Sequence, residues 1–574
     1  MTMLIAEKIT RPRRIFLPEN FQVTDWPSLK PWFDDLLNRE INSADSLRTW
    51  FRHRSELEAV ISEDLAWRYI NMTRFTDNEA HATAYRFFVE KIQPEIAPLT
   101  DKLNRKVIDT PHLAELEQLP GYNILIRNIR KDIELFREEN IPLFTEISLL
   151  QQQYNQISGA MTINFRGKEL TLQQASALLL EPDRALREEV YRLITARRLE
   201  DRQQLDALFT KLIQLRHQVA VNAGFSNFRD YMFKALGRFD YTPADCFNFH
   251  DAVKHHVVPL LNKLMEERRA KMNLPMLRPW DKAVDPLSRP PLKAFENGND
   301  LAEKGIRCFN RLHPFLGSCL QTMRNMEHLD LESRKGKAPG GYNYPLAELG
   351  VPFIFMNATS TLRDMVTLMH EGGHAVHNFL TRELELSDFK STPSETAELA
   401  SMSMELISMD AWDEFFKHEE EHRRAVREQL EDIIETLPWV ATIDKFQHWI
   451  YENPSHTEEE RRQAWNKIFS TFNDSVTDWT GLEEGRDYLW QKQLHLYEVP
   501  FYYIEYGMAQ LGALALWRNY KKDKQAGLEG YFNALKLGNT RTIPEVYAAA
   551  GIRFDFSADY IKGLMAFVWE ELKS

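Results

Sequence analysis

The chain is poor in cysteine. Three occur in 574 residues, Cys246, Cys308 and Cys319, and none stands in a C-x-x-C spacing. So sparse and odd a set argues against a disulfide framework and against a cysteine-based zinc site. Long apolar runs are missing too. No stretch approaches the 18 or so uninterrupted residues of a membrane-spanning helix, and Met1 to Pro18 holds no apolar run suited to a secretory leader. No membrane partner is expected, and a cytoplasmic protein is the natural reading. Positive charge is also in deficit, with 71 Lys and Arg against 84 Asp and Glu and a net charge of −13. The basic clusters Arg11–Arg14 and Arg423–Arg427 are short and interrupted, so they read as solvated surface and no nucleic-acid partner is expected.

What is abundant is the material of a core. Hydrophobic residues make up 43% of the chain and aromatics 11%, including 13 Trp, which excludes a disordered chain. The length exceeds what one hydrophobic core usually supports, so two or more lobes are expected. Apolar residues recur at three- and four-residue spacing through Ser43–Ile92 and Leu205–Val221, the signature of amphipathic helices. The predicted fold class is mainly α.

Two regions break that rhythm. Met161–Leu172 alternates apolar and polar residues about a glycine turn and predicts a hairpin. Pro339–Asn357, rich in Gly, Pro and aromatics, predicts a small β-ribbon leading into the next helix. Asp285–Asp300, punctuated by Pro and Asn-Gly, reads as a loop. A boundary near residue 200 would divide an N-terminal helical lobe, 1–200, from a catalytic lobe, 201–574, although no flexible linker marks it.

The chemistry is carried by Thr361–Leu380, TLRDMVTLMHEGGHAVHNFL, which contains an H-E-x-x-H sequence from His370 to His374. Residues four apart lie on one helix face about a turn apart, so both imidazoles can reach one ion, and zinc accepts such nitrogens at roughly 2.0–2.1 Å. Glu371 would stand beside the open coordination position as a general base, taking a proton from water and returning it to the leaving amine. Gly372 and Gly373 each cost a helix about 1 kcal/mol relative to Ala, so they point to a close approach by a neighbouring backbone or a substrate. Thr392–Met409, TPSETAELASMSMELISM, predicts a second helix offering Glu395, Glu398 and Glu405 near one face as candidates for a third ligand. Spacing does not choose among them. His377 shares the face of the two histidines but sits roughly 10 Å along the axis from His370, too far to join the same ion easily; it reads as a supporting or substrate-side residue. Leu380 stands where a third histidine of the longer zinc motif would fall.

A second constellation, HLYEVPFYYIEYGMAQL from His495 to Leu511, packs four tyrosines and a histidine into twelve residues. Phenol and imidazole groups can stabilise the oxyanion of peptide hydrolysis, although an aromatic core stripe would look similar.

With HEGGHAVH, SETAELASMSMEL and HLYEVPFYYIEYG together, the chain resembles the M3 family of metallopeptidases, and most closely its oligoendopeptidase F and Pz-peptidase-like branch. The likeness is strongest over roughly residues 330–510; GFSNFRDYMF (Gly224–Phe233) and KAPGGYNYP also resemble family features. The resemblance implies a two-lobed prolate helical fold with a deep central channel and one zinc on its floor. It implies His370, His374 and Glu398 as ligands, Glu398 lying 28 positions after His370 (398 − 370), with Glu371 the base and Glu395 orienting a ligating histidine. It further implies His495, Tyr503 and Tyr506 as the carbonyl and oxyanion group, with Tyr502 beside them on the substrate side or in Tyr503's place. Gly340, Gly341 and Tyr342 resemble the family's substrate-binding loop. Gly372 departs from the bulkier apolar residue usual in this branch. The implied activity is zinc-dependent endopeptidase cleavage of short unfolded peptides. The alternatives are a peptidyl-dipeptidase, which would need a cation fixed to hold the substrate's terminal carboxylate, and a non-catalytic peptide-binding protein.

Overall fold

The computed structural model describes residues 8–334, 336–338 and 340–573. It is 69% helix and 4% strand, in keeping with the periodicity of the sequence. The buried apolar residues fall into two large clusters. The smaller draws on Leu17 to Ile129 together with Leu386 and Phe389. The larger runs from Leu135 to Leu572. The expected division near residue 200 falls inside this larger cluster.

The elements that position the site are few. Helix α1 is Ala44–Arg74, started by Ser43 and Ser46 in a reciprocal capping box. The predicted hairpin is present as β1, Thr162–Phe165, and β2, Lys168–Thr171, paired antiparallel from Thr162 opposite Thr171. Its two-residue turn, Arg166 at φ 50° and Gly167 at φ 81°, has the left-handed backbone that suits strand twist. Helix α2 is Arg184–Glu200. Strands β3, Leu329–Glu332, β4, Tyr342–Tyr344, and β5, Phe353–Ala358, form a sheet in the order β3-β5-β4. The predicted ribbon is its antiparallel β4–β5 half; β3 adds in parallel on the other side, and Pro339 lies outside the described residues. The loop reading of Asp285–Asp300 holds up to Asn297, which caps a helix beginning at Gly298.

Beyond the sheet come helix α3, Leu362–Thr381, α4, Ser394–Ser408, α5, Glu419–Glu452, and α6, Tyr503–Lys522. Thr361 and Asp364 cap α3 reciprocally, so its start is held firmly two turns before His370. Helix α4 packs between α3 and α6. Ala66 and Ile70 of α1 pack against Phe353 and Phe355, fixing the sheet to the N-terminal region. Among the described residues no helix is long and apolar enough to cross a membrane.

Candidate metal centre and active site

The glycines explain how two helices come close enough to share a ligand set. A Cβ on Gly373 would lie 2.6 Å from the carbonyl oxygen of Ala400 and 2.6 Å from Cα of Ser401, so only glycine lets α4 cross α3 at that point. This crossing brings Glu398 to the histidines. Gly372 makes room for a ring instead, since a Cβ there would meet Phe309 at 2.7 Å. The departure from the usual bulky residue is therefore filled by Phe309.

Ligand atoms of His370, His374 and Glu398 lie within 4.8 Å of one another. Glu398 Oε2 stands 3.3 Å from His370 Nε2 and 3.7 Å from His374 Nε2. Ligands at about 2.0–2.1 Å from one tetrahedral ion are separated by about 3.4 Å, so these spacings fit a zinc-sized cation. The histidine side chains are 18% and 17% exposed, which leaves one side of the group open.

The surroundings set the charge states. Burial works against an ionised Glu398, but His374, His370 and the Tyr502 hydroxyl outweigh it and hold the carboxyl near 2. His374 is pushed down to about 4, chiefly by burial, and its ring is held by the Ala397 carbonyl. Burial disfavours charge on His370 too, yet hydrogen bonds to Glu398 and Glu405 raise its pKa well above the ordinary value. Glu371 is buried, and burial with the neighbouring Glu398 and Glu405 carboxylates lifts it to about 7. That range suits a group that takes up and releases a proton.

Several expected residues stand elsewhere than anticipated. The carboxylate held against a candidate ligand histidine is Glu405, whose Oε1 lies 2.7 Å from His370 Nδ1 while Gln429 Nε2 donates to its Oε2 at 2.8 Å. Glu395 instead accepts from the Tyr241 hydroxyl at 2.7 Å, a turn too early on α4 to reach either histidine. His377 is not on the substrate side. It is buried, held by the Leu535 carbonyl and lowered to about 3 by burial, so it is a neutral core residue. It turned inward because the far end of α3 packs against the helix Lys524–Leu535.

In the tyrosine segment the group facing the triad is Tyr502 with Tyr506, four apart, rather than Tyr503 with Tyr506. The Tyr502 hydroxyl donates to Glu398 Oε1 at 2.6 Å. The Tyr506 hydroxyl lies 3.1 Å from His495 Nε2, and His495 Nδ1 is 2.8 Å from Gln493 Nε2. Tyr503 bonds instead with Trp439 and Gln493. The register is set just upstream at Phe501, a non-glycine residue with φ 67°. Gln447 accepts its N–H at 2.5 Å, and the buried Arg238, paired with Glu505, donates to its carbonyl. These clamping residues were not singled out from sequence, because a buried cation reaching across more than 260 positions leaves no local pattern. Burial raises both Tyr502 and Tyr506 well above the ordinary phenol value, so they remain O–H donors, and it lowers His495 to about 4.

The loop before β4 lies beside the metal helix. Gly340 has φ 98° with open space about it, and Gly341 passes close to the Phe355 carbonyl and Thr367. Asn343 Nδ2 donates to the Glu371 carbonyl at 3.1 Å. Tyr342 faces the opposite way, stacked on Phe355 with its hydroxyl 2.6 Å from that of Thr73, so it braces the strand against α1 instead of lining the metal side. β4 is an edge strand.

Fold and site together define a mainly helical protein built round an open His/His/Glu group that could hold a metal ion, with a buried carboxyl and two phenols beside it. The chain belongs to peptidase family M3, which it matches over residues 177–566, and it matches the M3 N-terminal domain over residues 16–136. An oligoendopeptidase F homolog of Lactococcus lactis subsp. lactis (strain IL1403) is 24% identical over 396 residues, covering 68% of this chain and 64% of the relative's length. The match thus spans a little under two thirds of that relative. PZ peptidase A, solved with an inhibitor, superposes with a TM-score of 0.92 at 27% identity, covering 96% of this chain and 98% of its own. Oligoendopeptidase-F from Enterococcus faecium, at 16% identity and a TM-score of 0.66 over 96% of each chain, shares the fold.

Proposed function

We propose that the chain is a zinc-dependent oligoendopeptidase that hydrolyses internal bonds of short unfolded peptides, acting as a cytoplasmic protein. The observation that carries this reading is the meeting of His370, His374 and Glu398 on an open face, with Glu371 one position from His370. Two nitrogens and a carboxylate suit zinc, which when bound would activate water and polarise the substrate carbonyl. His370, His374 and Glu398 would hold the cation, and His370 would give up the proton it shares with Glu398. Glu405 and the Ala397 carbonyl hold the two imidazoles so that each presents Nε2 to the ion.

Glu371, poised near pH 7, takes the proton of the attacking water and passes it to the leaving amine. Tyr506 and His495 supply donors for the oxyanion, and Tyr502 steadies Glu398. The free edge of β4 offers backbone groups to an extended chain, with Gly340 and Gly341 admitting it closely. A short unfolded peptide reaches that edge as an extended chain without having to open a fold first, which favours such substrates. In this reading an N-terminal lobe, carrying α1, braces the substrate strand, and the remainder carries the chemistry.

The test is to purify Glu371→Gln beside the wild type, measure zinc by atomic absorption, and follow a quenched peptide and a peptide mixture by mass spectrometry. The expected result is one zinc per chain in both proteins and turnover lower by about 10²–10⁴ in the variant. Undiminished turnover would overturn the base assignment, and a wild type that binds peptides without cutting any would make the chain a binding protein.

A further inference from the structure

Gln493 stands at the N-cap of the short helix Leu494–Glu498, where a polar side chain usually accepts from the first N–H groups, yet its own makes no capping hydrogen bond. It reaches instead to two rings. Trp439 Nε1 lies 3.1 Å from Gln493 Oε1, and Gln493 Nε2 lies 2.8 Å from His495 Nδ1. The indole is carried by α5 and stands edge-on against the Trp465 ring, with centroids 5.9 Å apart. The His495 ring is packed by Tyr502, Tyr503 and Tyr506.

These contacts leave one arrangement of protons. An indole N–H can only donate, so the amide must turn its oxygen towards Trp439. Its NH2 group then faces His495, and that group too can only donate. His495 Nδ1 is therefore an acceptor and carries no proton. A neutral ring held in this way bears its proton on Nε2. An imidazolium, a donor at both nitrogens, would set N–H against N–H at Gln493. Burial outweighs the pull of the Glu398 carboxylate and lowers His495 to about 4, in agreement with a neutral ring. Tyr503 also bonds with Trp439 and Gln493, but a hydroxyl donates or accepts equally well and imposes no orientation on the amide.

The consequence falls on Tyr506. His495 Nε2 lies 3.1 Å from its oxygen, and with the proton on Nε2 the imidazole is the donor. The phenol oxygen is engaged as an acceptor, and its own proton is left free. Glu398 and Glu371 are among the carboxyls acting on Tyr506, so this hydroxyl belongs to the neighbourhood of the His/His/Glu group. A hydroxyl that accepts one hydrogen bond is a better donor in the next. With the opposite tautomer, Tyr506 would give its proton to His495 and present only a lone pair.

We infer that Gln493, locked by Trp439, is a positioning residue that fixes His495 as the neutral Nε2–H tautomer and so leaves the Tyr506 hydroxyl proton for the oxyanion of the substrate. The oxyanion part rests on the peptidase reading. The tautomer rests on the chain of donors and acceptors from Trp439 to Tyr506 alone.

The experiment records ring nitrogen-15 shifts on zinc-loaded protein labelled in histidine, with His495 assigned by its loss in His495→Asn, beside kcat and KM for a quenched peptide. The wild type is expected to show an unprotonated Nδ1 and a protonated Nε2. Gln493→Glu keeps the shape but replaces the donor by an acceptor, and is expected to draw the proton onto Nδ1. Trp439→Phe leaves Gln493 in place but unlocks the amide, and is expected to show both tautomers. Gln493→Met is expected to lower kcat by about tenfold with KM near wild type, less than the loss on removing the Tyr506 hydroxyl itself. In a Tyr506→Phe background the same change is expected to cost nothing further, since its effect runs through that hydroxyl. A protonated Nδ1 in the wild type, an unprotonated Nδ1 in Gln493→Glu, or a full loss in Gln493→Met that persists in Tyr506→Phe would overturn the assignment. If no peptide is cut, the shifts still decide: Nε2–H in the wild type and its displacement in Gln493→Glu uphold the tautomer while the peptidase reading fails.

Discussion

Two groups of potential ligands sit in this molecule, and they differ in access more than in composition. One is His370, His374 and Glu398; the other is Cys246, Asp444 and His448, also within 4.8 Å of one another. In both, a helix contributes a pair spaced four apart. The first group is partly open at its two imidazoles, and the Tyr502 hydroxyl donates to Glu398. The second is closed. Asp444 lies 2.8 Å from His250 Nε2 and 3.3 Å from His448 Nε2, all three side chains are at most 2% exposed, and Phe233, Phe247 and Phe501 pack about the His448 ring. Burial works against charge on Asp444, yet His448 and His250 hold its pKa well below the carboxylate range. Such a group is a buried carboxylate–imidazole contact bracing α5 beneath the Phe501 turn. The lesson is that ligand-type residues at helical spacing can serve as a reaction centre only where one coordination direction faces solvent.

That contrast can be broken most forcefully at the third ligand. Glu398→Ala is expected to lower zinc affinity by well over the roughly 100-fold seen when an outer partner is lost, abolishing turnover while thermal stability changes little; retained zinc by metal analysis would dissolve the contrast. Asp444→Asn is expected to do the reverse, costing about 1–3 kcal/mol in denaturant unfolding and leaving zinc at one per chain. Because the folded Asp444 carboxyl is depressed, its contribution is present above the unfolded value of about 3.9 and is lost as pH falls below it, so the variant should also have a flatter acid limb of stability. Two zinc ions per wild-type chain, one of them lost in Asp444→Asn, would make the closed cluster a metal site. Within the open group, Tyr506→Phe is expected to lower kcat by about 10²-fold, as removal of an oxyanion donor does, while Tyr503→Phe leaves kcat near wild type. Among the substitutions that act on the metal, the smaller effect is expected for Glu405→Gln, with zinc affinity falling about 10–100-fold as measured by chelator competition.

The parts legible in sequence were those with a short period. The helical stretches, the Arg166–Gly167 hairpin turn and the H-E-x-x-H pair follow from spacings of two to four residues, which local backbone geometry converts directly into position. The choice among Glu395, Glu398 and Glu405 was not of this kind. All three share a face of α4, and what separates their roles is where α3 crosses it. Tyr502 and Tyr503 were likewise undecided, because the left-handed turn at Phe501 sets the phase of α6 and depends on Arg238 and Gln447 from distant elements.

Local order therefore established a helical chain with a two-imidazole, one-carboxyl motif on a capped helix, since these need only the α-helical repeat. Packing established the rest. Contact at Gly373 brought Glu398 to the imidazoles and put Glu405 behind one of them, and the clamp on Phe501 turned one tyrosine rather than its neighbour towards the triad. Close approach between helices is a property of shape in three dimensions, and no repeat along the chain encodes it.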